Sequence, residues 1–506
     1  MKNSDSALVV GAGIVGLAIA RALAVRGHRV TVLERYDRAV GASVRNFGMI
    51  WPIGVTNGAA YERALRSRAI WQEVIDGAQL WHDPCGSLHV AYAQDEFEVL
   101  AQYAEANRAL RPCALLGRDQ ALAKSPALVA DGLRGALFNR DELLVDPREA
   151  LAALPGYLHE RYGVEFHWRT PVTAVESGRA HSGTRRFEAD RVFVCSGPEF
   201  EQLFPQLYAA APLTRCKLQM LRLAAPDDGL RLGAALCGGL SLVHYAGFQQ
   251  AADVAPLRAR YQAQYGELIE LGIHVMAAQN GRGEITVGDS HVYAHTHDPF
   301  DEQAINARVL DYLGGFLRLR EPRALQTWHG IYPKLTDGSS EFVAEPLPGV
   351  TVVNAVGGGG LGMTLSFGLA EEIVDGRYAA VRRAAERRAP DAAPAAPASP
   401  CGPWRPDPPW PAPSNSLAPR QTVRTTTPRA ARRRPPRQAI RGRRGAGGTS
   451  LCLLLRPPRP RSVRAAPCGA RNGAAARSLA RRLTCLLPRP NRASIRSSRS
   501  AVRAGA

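Results

Sequence analysis

Residues 7–34 read ALVVGAGIVGLAIARALAVRGHRVTVLE, passing from an apolar run through three spaced glycines and a helical pattern to a second apolar run. Ala7 to Val10 suit a strand buried on both faces. Gly11-Ala12-Gly13-Ile14-Val15-Gly16 then opens a helix that the pattern carries through Arg26, and HRVTVLE forms a strand ending at Glu34. This is the β-α-β fingerprint of dinucleotide binding in its proper order. Gly11 permits the tight turn, Gly13 lets backbone N–H groups approach a pyrophosphate, and Gly16 lets helix and strand pack closely. Ile14 and Val15 begin the helix whose N-terminus brings partial positive charge to the phosphates. Glu34, 18 positions after Gly16 and followed by Arg35, is placed to accept hydrogen bonds from an adenosine ribose. A chance glycine trio at a loop corner is the plain alternative, and the ordered strand, helix, strand and acid argue against it. The motif leaves open whether the dinucleotide is NAD or FAD.

Outward from this motif, the chain of 506 residues is long enough for a large core and more than one domain. Its formal charge of +19 is not spread evenly. Residues 391–506 hold 24 Arg, no Lys and two acids, leaving 40 basic and 43 acidic side chains in residues 1–390. The body is therefore near neutral and the excess sits in an Arg/Pro/Ala-rich tail, 386–506, which is expected to be disordered because it has too little apolar surface to offset chain entropy. A nucleic-acid-binding arm is one reading of the tail. Arg without Lys beside abundant Pro and Ala also matches a GC-rich gene read in the wrong frame, and that reading is preferred. The nine cysteines show no C-x-x-C pair. Those of the body are expected to be reduced packing residues of a cytoplasmic protein. Asp5 and the glycine spacing argue against a signal peptide, and no apolar run of about 18 residues suggests a membrane span.

Residues 41–50, GASVRNFGMI, favour FAD, since a nicotinamide dehydrogenase has no need of a polar Ser43–Arg45–Asn46 turn directly after the ribose-binding acid. A helix is predicted over 61–81, and Asp146-Pro147 caps another. The run 164–168, a hairpin around Val172 to Val175, and RFEADRVFVCSG ending in Ser196-Gly197 repeat the strand logic of the first motif. Between 213 and 330 the runs CKLQMLRL, SLVHYAGF, IHVMAAQN and EITVGDSHVY are predicted as strands, with one helix after Asp298-Pro299. Trp328 to Lys334 leads back to a strand, TVVNAV, then to four glycines and a helix over roughly Leu361 to Val374.

Residues 5–380 resemble the FAD-dependent D-amino acid oxidase and sarcosine oxidase superfamily. The stretches GASVRNFGMIWPIG, CKLQMLRL, GDSHVYAHTHDPFDE and GGGGLGMT resemble a bacterial branch associated with aminophosphonate breakdown. The resemblance implies an α/β Rossmann-like FAD-binding domain (1–80, 146–212 and 331–385) with an inserted, mainly antiparallel substrate domain (81–145 and 213–330). It implies noncovalent FAD, with Arg45 and Asn46 facing the flavin, Gly48 and Met49 passing close to it, and the backbone at Val172 meeting the adenine. Gly358, Gly359, Gly360, Leu361, Gly362, Met363 and Thr364 would let backbone approach the isoalloxazine ring and aim a helix N-terminus at its N1–C2 edge.

The chemistry implied is oxidation of the C–N bond of a small primary or secondary amine, with hydride passing to flavin N5 and the imine hydrolysing to an aldehyde. O2 or another acceptor then takes the electrons. N-methyl-2-aminoethylphosphonate or a relative, giving phosphonoacetaldehyde, is the substrate that the branch suggests; a D-amino acid, glycine or sarcosine is the alternative. Tyr332 and Lys334, with Arg45 and Asn46, are the catalytic candidates. Met49, Lys217, Gln219, His244, Tyr245 and His329 are candidates for holding substrate, because an acid group favours Lys, Arg and His partners. His291, His295 and His297 raise a metal alternative, but no Cys or helical H-x-x-x-H supports it and no metal is expected. Strand alternation putting Asp289, His291 and Tyr293 on one face suits a pocket wall equally well. An NAD-linked dehydrogenase leaves Arg45-Asn46 and the late glycines unexplained, and a nucleic-acid-binding protein rests on the tail alone.

Overall fold

The computed structural model describes residues 5–249, 251 and 253–378, with the backbone of 382–383. The expectations for the tail, 386–506, lie outside the described residues.

β1 (Ser6–Val10) lies inside a seven-stranded sheet, and Ala7 to Val10 are buried as an apolar run between two parallel neighbours must be. α1 (Ile14–Val25) returns the chain to β2 (Arg29–Leu33), parallel to β1 from Ser6↔Arg29 to Val10↔Leu33. β3 (Arg191–Val194) flanks β1 on its other side and the strand Val350–Asn354 follows, both parallel. α1 shares one core with α2 (Gly362–Val374) and the helix Ala59–Ala78, where Leu17, Leu23, Trp71 and Phe367 are almost fully buried. Each such side chain contributes about 1.5–3 kcal/mol. Arg21, buried in the same place, is neutralised by Glu73 at 2.5 Å and Glu371 at 3.3 Å.

A second sheet of nine strands is antiparallel except where Ala235–Cys237 runs parallel to Ser87–Ala91. Its longest pair is β4 (Leu213–Leu223) against β5 (Ala324–Leu335), in register from Leu213↔Leu335 to Arg222↔Gln326. The expected fold class, a Rossmann-like nucleotide sheet plus a mainly antiparallel sheet, is thus the observed one. The position 330/331, where the sequence suggests a domain boundary, falls inside β5. Asp146 caps the helix Pro147–Tyr162 by accepting from the Arg148 amide at 2.9 Å, and it also meets Arg222 of β4 at 3.4 Å, tying the helix to the second sheet. No helix among the described residues is long and apolar enough to cross a membrane.

Some expectations are corrected. SLVHYAGF is not a strand: it forms a helical turn, Ser241–His244, and a 3-10 turn, Ala246–Phe248. Ser241 and Leu242 donate back to Gly238 and Gly239, and Gly247 lies so near the Ile53 carbonyl that an added Cβ would stand 2.5 Å from its oxygen. EITVGDSHVY divides into Ile285–Gly288 and Val292–Ala294. The hairpin begins at Ala174, two residues beyond Val172. Helix Val254–Glu270 has no counterpart among the predicted elements.

Candidate functional site

The glycine turn after β1 is strained in the way the fingerprint requires. Gly11 has φ +103°, and a Cβ there would stand 2.5 Å from the Cys195 carbonyl oxygen at the end of β3. A Cβ on Gly16 would overlap the Gly11 carbonyl, so α1 can sit on β1 only with glycine there. Gly13 caps α1 without any side-chain partner, and the Ile14 amide donates to Ser43 Oγ at 3.0 Å. The Glu34 carboxylate accepts from the amides of Ala12 (2.8 Å) and Tyr36 (3.0 Å). Two bonds leave a carboxylate with acceptor capacity, so ribose hydroxyls can still be met. Arg35 pairs with Glu199 at 3.4 Å, and both line the same cavity as Val15, Val172, Ser196 and Gly197.

At the other end of this cavity, Gly357 to Gly360 all have positive φ, between +68° and +108°. Gly357, Gly359, Gly360, Leu361, Gly362, Met363 and Thr364 line the wall; Gly358 does not, because its amide turns away to the Ser340 carbonyl. Gly357 takes the place expected of it. The reason for glycine at 359 also differs from the expected one: an added Cβ would overlap the Pro333 carbonyl of β5 and stand 3.0 Å from Lys334 Cα. The residue is therefore required by protein packing in the first instance. Thr364 Oγ1 accepts from the Trp51 amide at 2.9 Å and fixes the start of α2 against the Met49–Trp51 segment.

Arg45 and Asn46 both border the cavity, but their polar ends are engaged. Asn46 Nδ2 donates to the carbonyls of Ala42 and Ser43, and its Oδ1 accepts from the Gly48 amide. Its side chain holds the turn, so the catalytic expectation for Asn46 is corrected to a shaping role. Arg45 donates to the His329 carbonyl at 3.0 Å.

The pleat of β4 and β5 sorts the remaining candidates. Leu218 and Met220, with Tyr332 and Lys334, face the cavity. Lys217, Gln219 and His329 lie on the opposite face and are corrected accordingly. Lys217 donates to the carbonyls of Asp298 and Phe300 and meets Asp301 at 3.3 Å; His329 Nδ1 meets the same carboxylate at 2.8 Å. Gln219 donates to the Glu302 carbonyl and to Asn306 Oδ1 and accepts from the Glu302 amide. None of these outward groups lines the cavity.

Met49, His244 and Tyr245 do line it, the last two from the helical turn rather than from a strand. His291 is there as well, but His295 and His297 are not; its neighbours are His244 and His274. Trp51, His274, Asp289 and Tyr293 complete this end. His274 lies within the run IHVMAAQN, and nothing local in the sequence marks it as a site residue. Burial pushes the Tyr332 phenol well above its usual range and lowers the Lys334 ammonium. It also holds His274 far below the ordinary imidazole range and His291 at about 4.

The cavity joining these ends measures about 620 Å³, within the range of cofactor and ligand sites. Positive-φ glycines at both ends, the buried Glu34 directly after β2 and a helix started at a glycine fit a dinucleotide, and they define a dinucleotide-binding protein. The chain belongs to the FAD-dependent oxidoreductase (DAO) family, whose pattern matches residues 6–376, and its cofactor is FAD. It is 30% identical over 251 residues to the tRNA 5-methylaminomethyl-2-thiouridine biosynthesis bifunctional protein MnmC of Chromohalobacter salexigens, covering 46% of this chain and 34% of that protein. Glycine oxidase of Geobacillus kaustophilus is 28% identical over 212 residues, 41% of this chain and 55% of the oxidase. The match thus spans well under two thirds of either relative. The solved glycine oxidase from Geobacillus kaustophilus has a TM-score of 0.59 at 20% identity over 74% of this chain and 96% of its own. L-proline dehydrogenase from P. horikoshii gives 0.59 at 20% over 75% and 95%. At such identity the structural likeness speaks to the fold alone.

Proposed function

We propose that the protein oxidises the C–N bond of a small primary or secondary amine bearing an acid group, with an aminophosphonate such as N-methyl-2-aminoethylphosphonate as substrate and phosphonoacetaldehyde as product. The observation that carries this reading is Lys334. It stands in the cavity wall between Tyr332 and Gly359, and no carboxylate among the described residues pairs with it. Bound FAD supplies the hydride acceptor, and O2 or another acceptor restores it. Lys334 would hold the phosphonate by a charge-assisted hydrogen bond. Tyr332, kept protonated by burial, remains a donor beside it. Met49, Trp51, Leu218 and Met220 present apolar surface to the reacting carbon and exclude water. We assign the nine-stranded sheet to the substrate and the seven-stranded sheet to the nucleotide.

A glycine- or sarcosine-type oxidation is the second reading, favoured by the similarity to glycine oxidase. A carboxylate would take the same lysine. Anaerobic addition of N-methyl-2-aminoethylphosphonate, glycine, sarcosine and D-alanine to the flavin-loaded protein separates the two. The expected result is bleaching of the oxidised flavin band by the phosphonate at the lowest concentration, with aldehyde trapped by a hydrazine. Bleaching by glycine alone would favour the second reading, and bleaching by no amine would overturn both.

A further inference from the structure

Three histidines from three separate segments meet at the substrate end of the cavity. His244 comes from the helical turn, His274 from the loop before strand Met276–Gln279, and His291 from the break between Ile285–Gly288 and Val292–Ala294. One ligand atom from each lies within 4.8 Å of the others, and the ring centroids stand 3.7 to 4.9 Å apart. Asp289 joins them, its Oδ1 3.6 Å from His274 Nε2 and its Oδ2 3.9 Å from His291 Nε2.

We propose that His244, His274 and His291, with Asp289, bind a divalent transition cation of the zinc class. Hydrogen-bond bookkeeping favours a cation over an oxyanion. His291 Nδ1 lies 2.9 Å from the Gly272 carbonyl, which can only accept, so Nδ1 carries the proton and Nε2 turns a lone pair toward the cluster. A metal-bound histidine is held in this way, its second nitrogen donating to a backbone carbonyl. Both ring nitrogens of His274 and Oδ1 of Asp289 are buried with no hydrogen-bond partner among the described residues. His274, Asp289 and His291 are only 3%, 5% and 6% exposed. A lone pair and a carboxylate attract a metal ion and repel a phosphate.

The scaffold is stiff. The backbones of His274 and Asp289 bond each other at 3.2 and 3.3 Å, and the His291 amide donates to Leu271 at 2.8 Å. Gly272 is needed beneath, since a Cβ there would stand 2.7 Å from His291 Cβ. Ligand atoms of a tetrahedral zinc site stand about 3.3 Å apart, so side-chain rotations of about 1 Å close the set. His244 is on the lumen side, so a coordination position beyond these four would open into the cavity. Lys334 faces the same cavity, and its positive charge acts on His244.

The test uses the tag-free, flavin-loaded protein, stripped with a chelator, dialysed against micromolar zinc chloride and passed through a desalting column. Zinc by mass spectrometry and flavin by absorbance are read on the same fractions. The expected result is about one zinc per chain in the wild type and in His295→Ala. His274→Ala, and Asp289→Asn more mildly, should weaken retention by about 10–100-fold with flavin content kept. Should His274→Ala lose its flavin, His244→Ala on the lumen side gives the same reading. Wild type that retains no zinc, or variants that retain as much as wild type, would overturn the proposal. So would inorganic phosphate binding at the cluster with zinc excluded. Amine turnover plays no part in the readout, so the proposal can fail without the amine oxidase reading, or stand without it.

Discussion

Gly359 lies against Pro333 with no room for a Cβ, which would overlap the proline carbonyl oxygen. The contact joins the glycine run to β5 and so sets the distance between the flavin-side wall and the strand carrying Tyr332 and Lys334. At φ +108° a side chain is strained besides. Gly359→Val should therefore cost about 2–5 kcal/mol from left-handed strain plus overpacking, and purified protein should carry little flavin. Gly338, at φ +78° with open space around it, is the control: Gly338→Ala should keep its flavin. Flavin-to-protein absorbance ratios and melting temperatures of the two variants decide the matter, and equal ratios would refute the packing argument.

Glu34 holds the glycine turn through the amides of Ala12 and Tyr36. Removing its carboxylate leaves the amides of Ala12 and Tyr36 without their acceptor, at about 1–3 kcal/mol for each group left buried. Glu34→Ala should weaken FAD binding by at least about tenfold, and Glu34→Gln, which keeps one acceptor oxygen, should weaken it less. Quenching of flavin fluorescence on titration into apo-protein measures both. Equal losses in the two variants would mean that the charge, not the turn, is what matters.

The fold was legible because its decisive signals are local. A strand, a glycine turn, a helix and an acid follow one another within residues 7–34, and Asp146-Pro147 announces its helix from two residues. The substrate end was less legible. Alternation in CKLQMLRL shows two faces without saying which is inward, so Lys217 and Gln219 drew attention by charge and polarity while Leu218 and Met220 line the cavity. The resemblance puts Asn46 beside the flavin, and nothing in a sequence shows that its amide is already bonded three ways to its own turn. The histidine cluster is a product of topology: residues 244, 274 and 291 are neighbours only after two turns have formed, whereas 291, 295 and 297, adjacent in sequence, separate.

Glu142 is fully buried, accepting from Ser87, the Ile53 amide and Asn139, and desolvation pushes its carboxyl up to about 7 from 4.5. Between those values the folded protein holds a proton that the unfolded chain has released. Stability should therefore fall as pH rises across that window. Glu142→Gln, neutral throughout, should flatten the slope. Melting temperatures at several pH values between 5 and 8 test this (about the window itself), and parallel slopes for the two proteins would rule Glu142 out as its source.

The opposite faces of β4 and β5 give the last contrast. Lys217 is saturated by two carbonyls and Asp301 outside the cavity, so Lys217→Met should lower the melting temperature and change KM by less than about twofold. Lys334→Met, on the inward face, should raise KM for an acidic amine by about 10–150-fold, the worth of a hydrogen bond to a charged group. The pH dependence separates charge from shape. Because burial lowers the Lys334 pKa beneath the ordinary 10.5, the ammonium is lost earlier on the alkaline side. KM should accordingly rise with pH through that lowered value in the wild type. Lys334→Arg, which stays charged, should move the rise to higher pH. A KM for the acidic amine that is flat with pH in both proteins would remove Lys334 as the anion-holding group and, with it, the observation on which the acid-group assignment stands.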